Sequence, residues 1–211
     1  MEVKLNLFVI GLAIGGYLLG SIPIAWIVAR LVTGKDLRSL GSGNVGVMNV
    51  ALSATRWAGL VVFVGEAAKG LLAVVLARSV EDTPLAIGIT VLATVIGTRW
   101  MVCLGFAGGR GNTAGLAAML LLSWQTLLIG FGFWALLRLI ARSSFWATRI
   151  SLVGWPFVFG WLIQSWTYLI FGLALSGIYL TTHRAISDDH TIIKERWPSL
   201  WAFLTGPRRR S

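Results

Sequence analysis

Cysteine, histidine and charge are all scarce in this sequence of 211 residues. The single cysteine, Cys103, excludes a disulfide framework within the chain and a cysteine-based metal site. The two histidines, His183 and His190, leave little room for a histidine-rich metal centre or a Ser-His-Asp triad. Charged residues make up 12% of the chain, about half the share found in soluble domains. We therefore expect no metal and no cofactor, and we do not expect a soluble domain.

Apolar residues and positive charge are abundant instead. The chain is 56% hydrophobic, with a mean hydropathy of +0.80, which indicates an integral membrane protein. Its 18 Lys and Arg residues outnumber 8 acidic residues, for a net charge of +10. In a membrane protein such an excess marks cytoplasmic loops and contact with anionic lipid headgroups. Nucleic acid is not an expected partner, because the charges are scattered between apolar segments and form no continuous face.

Residues 34–49, here called the first glycine loop, lie between two long apolar segments. The loop combines glycines, neutral donors and cations: Gly41, Gly43, Gly46, Ser42, Asn44, Asn49, Lys35 and Arg38. Glycine permits positive φ and leaves backbone N–H groups uncovered. A phosphate monoester is bound by convergent N–H and O–H donors together with a cation. The loop is therefore predicted to bind phosphate, and a flexible polar connector is the alternative.

Residues 106–113, here called the second glycine loop, repeat that composition before another apolar segment. Two such loops in one membrane protein are difficult to explain as linkers. Arg110 is the one cation in this loop, and a guanidinium grips a phosphate with two parallel hydrogen bonds. We expect Arg110 to contact a substrate phosphate, and the alternative is that it only marks the cytoplasmic end of a span.

Four motifs occur in an order and at a spacing typical of one family. They are GSIP at 20–23, D-x-R-x-x-GSGN-x-G-x-x-N at 36–49, an acid-x-x-KG at 66–70, and F-x-GG-basic-G at 106–111. Over about residues 15–115 the chain resembles the acyl-phosphate:glycerol-3-phosphate acyltransferases of bacterial membranes, the PlsY family. The resemblance implies transfer of a fatty acyl group from acyl phosphate to the sn-1 hydroxyl of glycerol 3-phosphate. The product would be lysophosphatidate, a precursor in phospholipid biosynthesis.

The resemblance also implies roles for residues on these motifs. It puts catalytic positions at Ser42, Lys69 and Arg110. It puts contacts to substrate phosphate at Arg38, Gly41, Ser42, Gly43, Asn44, Asn49, Gly108, Gly109, Gly111 and His183. An acyl phosphate already carries a good leaving group, so the reaction needs positioning and charge stabilisation more than a strong nucleophile. By resemblance no general base is needed, because the substrate's own phosphate takes the proton.

The chain departs from the family pattern at several positions. In this chain the family's usual residues are replaced as follows: Asp by Glu66, Gly-His by Gly97-Thr98, Lys by Ala107, Val-Ala by Asn112-Thr113, and Asn by Ile186. A non-catalytic or re-specialised relative that binds phosphate or lipid is therefore one alternative function. A small transporter is another, because Glu66 and Lys69 lie inside an apolar span and share a helix face.

The distribution of arginines decides between five and seven spans. If 114–137 and 152–180 are each one helix, the arginines of 138–149 lie on the opposite side of the membrane from the first glycine loop. If each segment is instead a pair of short helices, with turns near 123–125 and 164–165, there are seven spans. Both glycine loops, the arginines and the tail then share one side, as the positive-inside rule requires.

The sequence therefore predicts an all-α integral membrane protein, a compact bundle of about seven transmembrane helices, some of them short. Residues 1–211 are predicted to form one transmembrane domain that ends in a cytoplasmic tail at about 183–211. The expected location is a bacterial inner membrane, with the N-terminus outside and the C-terminus and active site cytoplasmic; the oligomeric state is left open. Most of the eleven tryptophans, Trp155 among them, are expected to anchor span ends at the membrane interface.

Overall fold

Within the residues that the structure describes, regular secondary structure is entirely helical. The computed structural model describes residues 7–142, 144–182, 193, 197 and 200–205. The helices are α1 (Leu7–Ser21), α2 (Ile24–Thr33), α3 (Val47–Ser53), α4 (Arg56–Val80), α5 (Pro84–Arg99), α6 (Asn112–Leu122), α7 (Trp124–Ala141), α8 (Ser144–Ile163), α9 (Trp166–Thr182) and α10 (Leu200–Thr205). Two single 3₁₀ turns, Leu37–Ser39 and Val102–Leu104, lie in the connections.

Apolar length agrees with a membrane fold. Among the residues that the structure describes, four segments are long and apolar enough to cross a membrane: Leu7–Thr33, Arg56–Val80, Pro84–Leu104 and Trp124–Ala141. Helices α6 and α9 are shorter apolar helices. The predicted all-α membrane fold is confirmed.

The two predicted turns within long apolar segments are present. Ser123 separates α6 from α7 and caps α7, its Oγ accepting a hydrogen bond from the Thr126 N–H at 3.3 Å. Gln164, with a φ of 55°, ends α8 before α9 begins. The helix after the first turn and the helix before the second are not short: α7 has 18 residues and α8 has 20. The predicted arginine loop therefore shrinks to a turn at Arg142, with Arg138 inside α7.

The first apolar segment is divided into two helices. Helix α1 ends at Ser21 and α2 begins at Ile24, so the break falls on the GSIP motif. Pro23 has no N–H to donate to the preceding turn, and proline disfavours helical backbone at the residue before it. The break frees carbonyl groups at the end of α1 for other partners.

The chain separates into two compact units. The first unit comprises 1–22 and 66–183, and the second comprises 23–65 and 184–211. In the first unit α1 and α5 touch backbone to backbone, because a Cβ at Gly20 or Gly97 would collide with a carbonyl of the other helix. The single domain over 1–211 stays a prediction, and most of the predicted tail lies outside the described residues.

Candidate active site

The first glycine loop is built around the buried side chain of Asn49, in the first turn of α3. Its Nδ2 donates to the Leu40 carbonyl at 3.0 Å and to the Asn44 carbonyl at 2.9 Å. Its Oδ1 accepts from the Ser42 N–H at 3.2 Å and from Ser53 Oγ at 3.0 Å. One amide thus holds four parts of the chain, and Asn49 shapes the loop from within.

Glycine is required twice where the loop passes over this amide. Gly41 has a φ of 54° and Gly43 a φ of 71°, both in the left-handed region. A Cβ at Gly41 would also collide with Asn49 Oδ1. Ser42 and Asn44 alternate with these glycines and are only partly buried, and Ser42 Oγ accepts a hydrogen bond from the Asn44 N–H at 3.4 Å.

Arg38 is held at the start of the loop by Asp36. Its Nη2 lies 2.7 Å and its Nε 3.1 Å from the carboxylate, and its N–H donates to Asp36 Oδ1 at 2.9 Å. The side-chain bond from Arg38, and then the backbone bond, hold the pKa of Asp36 well below its usual range. Asp36 in turn raises the pKa of Arg38. The guanidinium is thus permanently charged, fixed in direction and 44% exposed, as an anion contact requires.

The second glycine loop lies on the end of α5. The Gly109 N–H donates to the Thr98 carbonyl at 2.9 Å, and a Cβ at Gly108 would collide with that same carbonyl. Gly111, with a φ of 74°, precedes α6, and its carbonyl accepts from the Tyr179 hydroxyl at 3.3 Å. The loop is therefore fixed on α5 and α9, with the partly buried Arg110 between these two attachments.

Lys69 is buried, its side chain 2% exposed, and its ammonium faces three acceptors. Nζ lies 2.8 Å from Glu66 Oε1, 2.6 Å from the Ile22 carbonyl and 3.1 Å from the Gly20 carbonyl. An ammonium has three N–H donors, and these three bonds engage all of them. The Thr98 hydroxyl donates to the same Gly20 carbonyl at 3.3 Å. In this arrangement Lys69 joins the end of α1 to α4, and its predicted catalytic role stays a prediction.

A groove of about 310 Å³ lies among α6, α7, α8 and α9 of the first unit. Its polar lining comes from the second glycine loop and from the nearest ends of these helices: Arg110, Asn112, Thr148, Tyr179 and Thr182. Its apolar lining includes Met119, Leu127, Phe131, Trp155 and Leu175.

Helix connectivity orders the groove from a polar end to an apolar end. Only Ser123 joins α6 to α7, so Asn112 and Trp134, equally far from this turn, belong to the same end. Trp134 Nε1 donates to Thr148 Oγ1 at 3.0 Å, which brings the start of α8 to that end as well. The hydrogen bond from Tyr179 to the second glycine loop places the Tyr179 end of α9 there too. Arg110 therefore lies at the polar end, and the residues close to Ser123 line the apolar end.

The predicted site residues divide between the two units. Arg110 and its neighbouring glycines lie in the first unit with Lys69, and the first glycine loop lies in the second unit. His183, another predicted phosphate contact, lies outside the described residues. The apolar lining of the groove was not predicted, because it is spread over four helices whose apolar residues are ordinary in membrane spans. Trp155 lies within α8 and lines the groove, whereas an interface position was expected.

Comparisons with known proteins agree with the motif pattern. A family model described as glycerol-3-phosphate acyltransferase matches residues 10–188. The glycerol-3-phosphate acyltransferase of Desulforamulus reducens is 34% identical over 170 residues, 81% of this chain and 85% of that one. The protein of the same name from a Synechococcus species is 36% identical over 191 residues, 88% of this chain and 93% of that one.

Solved structures agree as well. The crystal structure of PlsY (YgiH), an integral membrane glycerol 3-phosphate acyltransferase, in its glycerol 3-phosphate form has a TM-score of 0.70 at 27% identity. It covers 96% of this chain and 95% of its own. The lysophosphatidic acid form has a TM-score of 0.68 at 26% identity and covers 96% and 94%. The four motifs, the helical membrane fold and these likenesses agree, and the chain belongs to the glycerol-3-phosphate acyltransferase family.

Proposed function

We propose that this protein is a membrane acyltransferase that moves a fatty acyl group from acyl phosphate to the sn-1 hydroxyl of glycerol 3-phosphate. The observation that carries the proposal is the groove in the first unit, with Arg110 at its polar end and an apolar far end. An acyl phosphate has the same division, because it joins an anionic head to an alkyl tail. Membership of the glycerol-3-phosphate acyltransferase family supports the same reaction.

The acyl donor is assigned to the groove, with its phosphate at Arg110 and its tail along α6. A guanidinium binds a phosphate with two parallel hydrogen bonds, which orients the head group as well as attracting it. Lipid tails are as apolar as the groove wall, so moving the tail from the bilayer brings little hydrophobic gain. The groove therefore orients the acyl carbonyl, and contacts to the head group provide most of the affinity for acyl phosphate.

The acceptor is assigned to the first glycine loop. Glycerol 3-phosphate is a soluble anion, and Arg38 with the loop's Ser42 and Asn44 is a donor set that suits its phosphate. In the reaction the acceptor hydroxyl oxygen bonds to the acyl carbonyl carbon and the bond from that carbon to the phosphate oxygen breaks. Inorganic phosphate leaves, and a substrate phosphate takes the hydroxyl proton. The chain's residues bind and orient the substrates, and none of them is required to act as a base.

The expected orientation follows from charge. The loop before α5 carries Glu81 and Asp82, whereas Lys35 and Arg38 lie in the first glycine loop. We assign the first glycine loop to the cytoplasmic face of a bacterial inner membrane and the acidic loop to the outer face. In a Cys103→Ser background, Lys35→Cys should react with an impermeant thiol reagent only from the cytoplasm and Glu81→Cys only from outside. Labelling of both positions from one side would contradict this orientation.

A reconstituted assay tests the reaction. Purified protein in lipid vesicles, given palmitoyl phosphate and glycerol 3-phosphate, should release phosphate and form lysophosphatidate. Palmitoyl coenzyme A as donor and glycerol as acceptor should give no product. Arg110→Ala should be severely impaired, and Arg78→Ala, an exposed arginine in a weak surface pair at 3.9 Å, should match wild type. Binding of lysophosphatidate without any transfer would favour the non-catalytic relative instead.

A further inference from the structure

The apolar end of the groove is occupied by one large ring whose position is determined from three directions. A Cβ at Gly130 of α7 would lie 3.2 Å from Trp155 Cδ1, and a Cβ at Gly172 of α9 would lie 3.4 Å from its Cζ3. On its own helix the indole stacks on Phe159, with ring centroids 5.3 Å apart and an interplanar angle of 14°. The absence of side chains at both glycines lets α7 and α9 approach the indole closely.

The other groove residues near that end are easier to displace. Met119 and Leu127 are aliphatic side chains with several rotatable bonds, so they can yield to a ligand. The indole of Trp155 is a single rigid body between two helices and a stacked ring, so moving it requires the surrounding helices to move. From Asn112 to Met119 the groove follows α6 for about 10 Å, at 1.5 Å per residue, before it reaches this end.

We infer that Trp155 determines the longest acyl chain that the protein accepts. This inference rests on the proposed function, which assigns the acyl tail to the groove. A tail with its head group at Arg110 extends along α6 and meets the indole at the apolar end. A longer tail has to fold back or displace its own carbonyl from the reacting position, so its transfer slows even when its head group still binds.

Chain-length profiles test the inference. The ratio of kcat/KM for lauroyl phosphate to that for octanoyl phosphate is measured for wild type, Trp155→Ala and Trp161→Ala. Removing the indole should raise this ratio at least about tenfold, the scale on which apolar pockets discriminate chain length. Trp161 is a matched control, because it is on the same helix and 70% exposed; its replacement should leave the ratio unchanged. An unchanged ratio in a folded Trp155→Ala protein would overturn the inference.

A second variant works in the opposite direction. Gly130→Leu adds a side chain beside the indole and shortens the available groove, so the lauroyl to octanoyl ratio should fall below the wild-type value. This outcome does not depend on whether Trp155→Ala folds. A ratio that rises or stays constant in folded Gly130→Leu would contradict the assignment.

Crosslinking separates failure of this inference from failure of the proposed function. Octanoyl lysophosphatidate with a photoreactive diazirine at the tail end is irradiated with the wild-type protein, and modified peptides are identified by mass spectrometry. Modification at Trp155 or around Gly130 supports the inference even if the protein transfers no acyl group. Modification confined to exposed residues such as Trp161 overturns it, whether or not the transfer reaction is found.

Discussion

The two glycine loops have nearly the same composition and are held in place by different means. The first is organised by a buried side chain of its own, Asn49, whose amide bonds to four parts of the loop and of α3. The second is attached to two neighbouring helices, by the Thr98 carbonyl of α5 and the Tyr179 hydroxyl of α9. Thr98 is itself bonded to the Gly20 carbonyl, which also accepts from Lys69.

This difference shows which donors of a glycine-rich run face a ligand. In each loop some polar groups bond to the protein itself. The Asn49 side chain does so in the first loop, and the Gly109 N–H does so in the second. Both loops present an arginine that is at least partly exposed, Arg38 or Arg110. The comparison therefore predicts that the two arginines bind substrate, whereas Asn49 and Lys69 stabilise the folded structure.

Lys69→Met should have the largest effect. It removes the ammonium that satisfies two carbonyls and leaves the Glu66 carboxylate buried at 4% exposure without its partner. Breaking a buried ion pair in this way costs about 3–5 kcal/mol of unfolding free energy. The melting temperature in detergent should fall sharply. Activity should fall with it, because Thr98, whose carbonyl holds the second glycine loop, donates its hydroxyl to the Gly20 carbonyl that Lys69 also bonds.

The double variant Lys69→Met with Glu66→Gln is the control for this prediction. Removing the uncompensated carboxylate should restore part of the lost thermal stability. If Lys69→Met melts like wild type and only activity is lost, Lys69 contacts substrate. The predicted difference in role between Lys69 and Arg110 would then be wrong.

Arg110→Ala should act on substrate and leave stability intact. Loss of one well-placed donor to a reacting anion costs about 2–4 kcal/mol in kcat/KM. Arg110→Lys should be intermediate, because an ammonium cannot make the two parallel bonds of a guanidinium. Steady-state kinetics with palmitoyl phosphate measure the effect, and Ala107→Lys added to Arg110→Ala should recover part of it. A rate within about twofold of wild type would mean that Arg110 only marks a span end.

Asn49→Ala should destabilise the first glycine loop. It leaves the Ser42 N–H and the Leu40 and Asn44 carbonyls without the amide, a loss of about 2–3 kcal/mol. Both the melting temperature and the affinity for glycerol 3-phosphate should fall. Ser53→Ala is the matched control, since it removes one bond to the same amide and should have a small effect. Normal melting with a large loss of affinity would instead make Asn49 a substrate contact.

Asp36→Asn should have the smallest effect, because the Asp36–Arg38 pair is exposed. The pKa of Asp36 lies below its ordinary value, so its contribution is complete above that ordinary value, about 3.9, and is lost only as pH falls through the lower folded value. The KM for glycerol 3-phosphate should rise a few-fold in the variant, by the same factor at every pH from about 5 to 8. A factor that changes within this range would show that another titrating group holds Arg38.

Composition and local signals determined the class of this protein and much of its layout. Long apolar segments predicted membrane spans. The distribution of arginines predicted the two turns, near 123–125 and 164–165, that the structure contains, because the positive-inside rule places the basic loops on one side of the membrane. The GSGN and GG-basic-G runs predicted the two loops and their arginines. Pro23 carried the signal for the break in the first span, but the uninterrupted apolar run around it favoured one helix.

Tertiary structure alone decided which polar groups are used inside the protein and where a lipid tail fits. The partners of Lys69 at Gly20 and Ile22 are nearly fifty residues away in sequence, at a helix end that exists only because of the GSIP break. The groove depends on how four apolar helices pack. In a membrane every helix face is apolar, so hydrophobic periodicity does not distinguish a face that packs on protein from one that faces lipid. For that reason the sequence predicted Trp155 as one interface tryptophan among many, and only helix packing placed it in the lining of a groove.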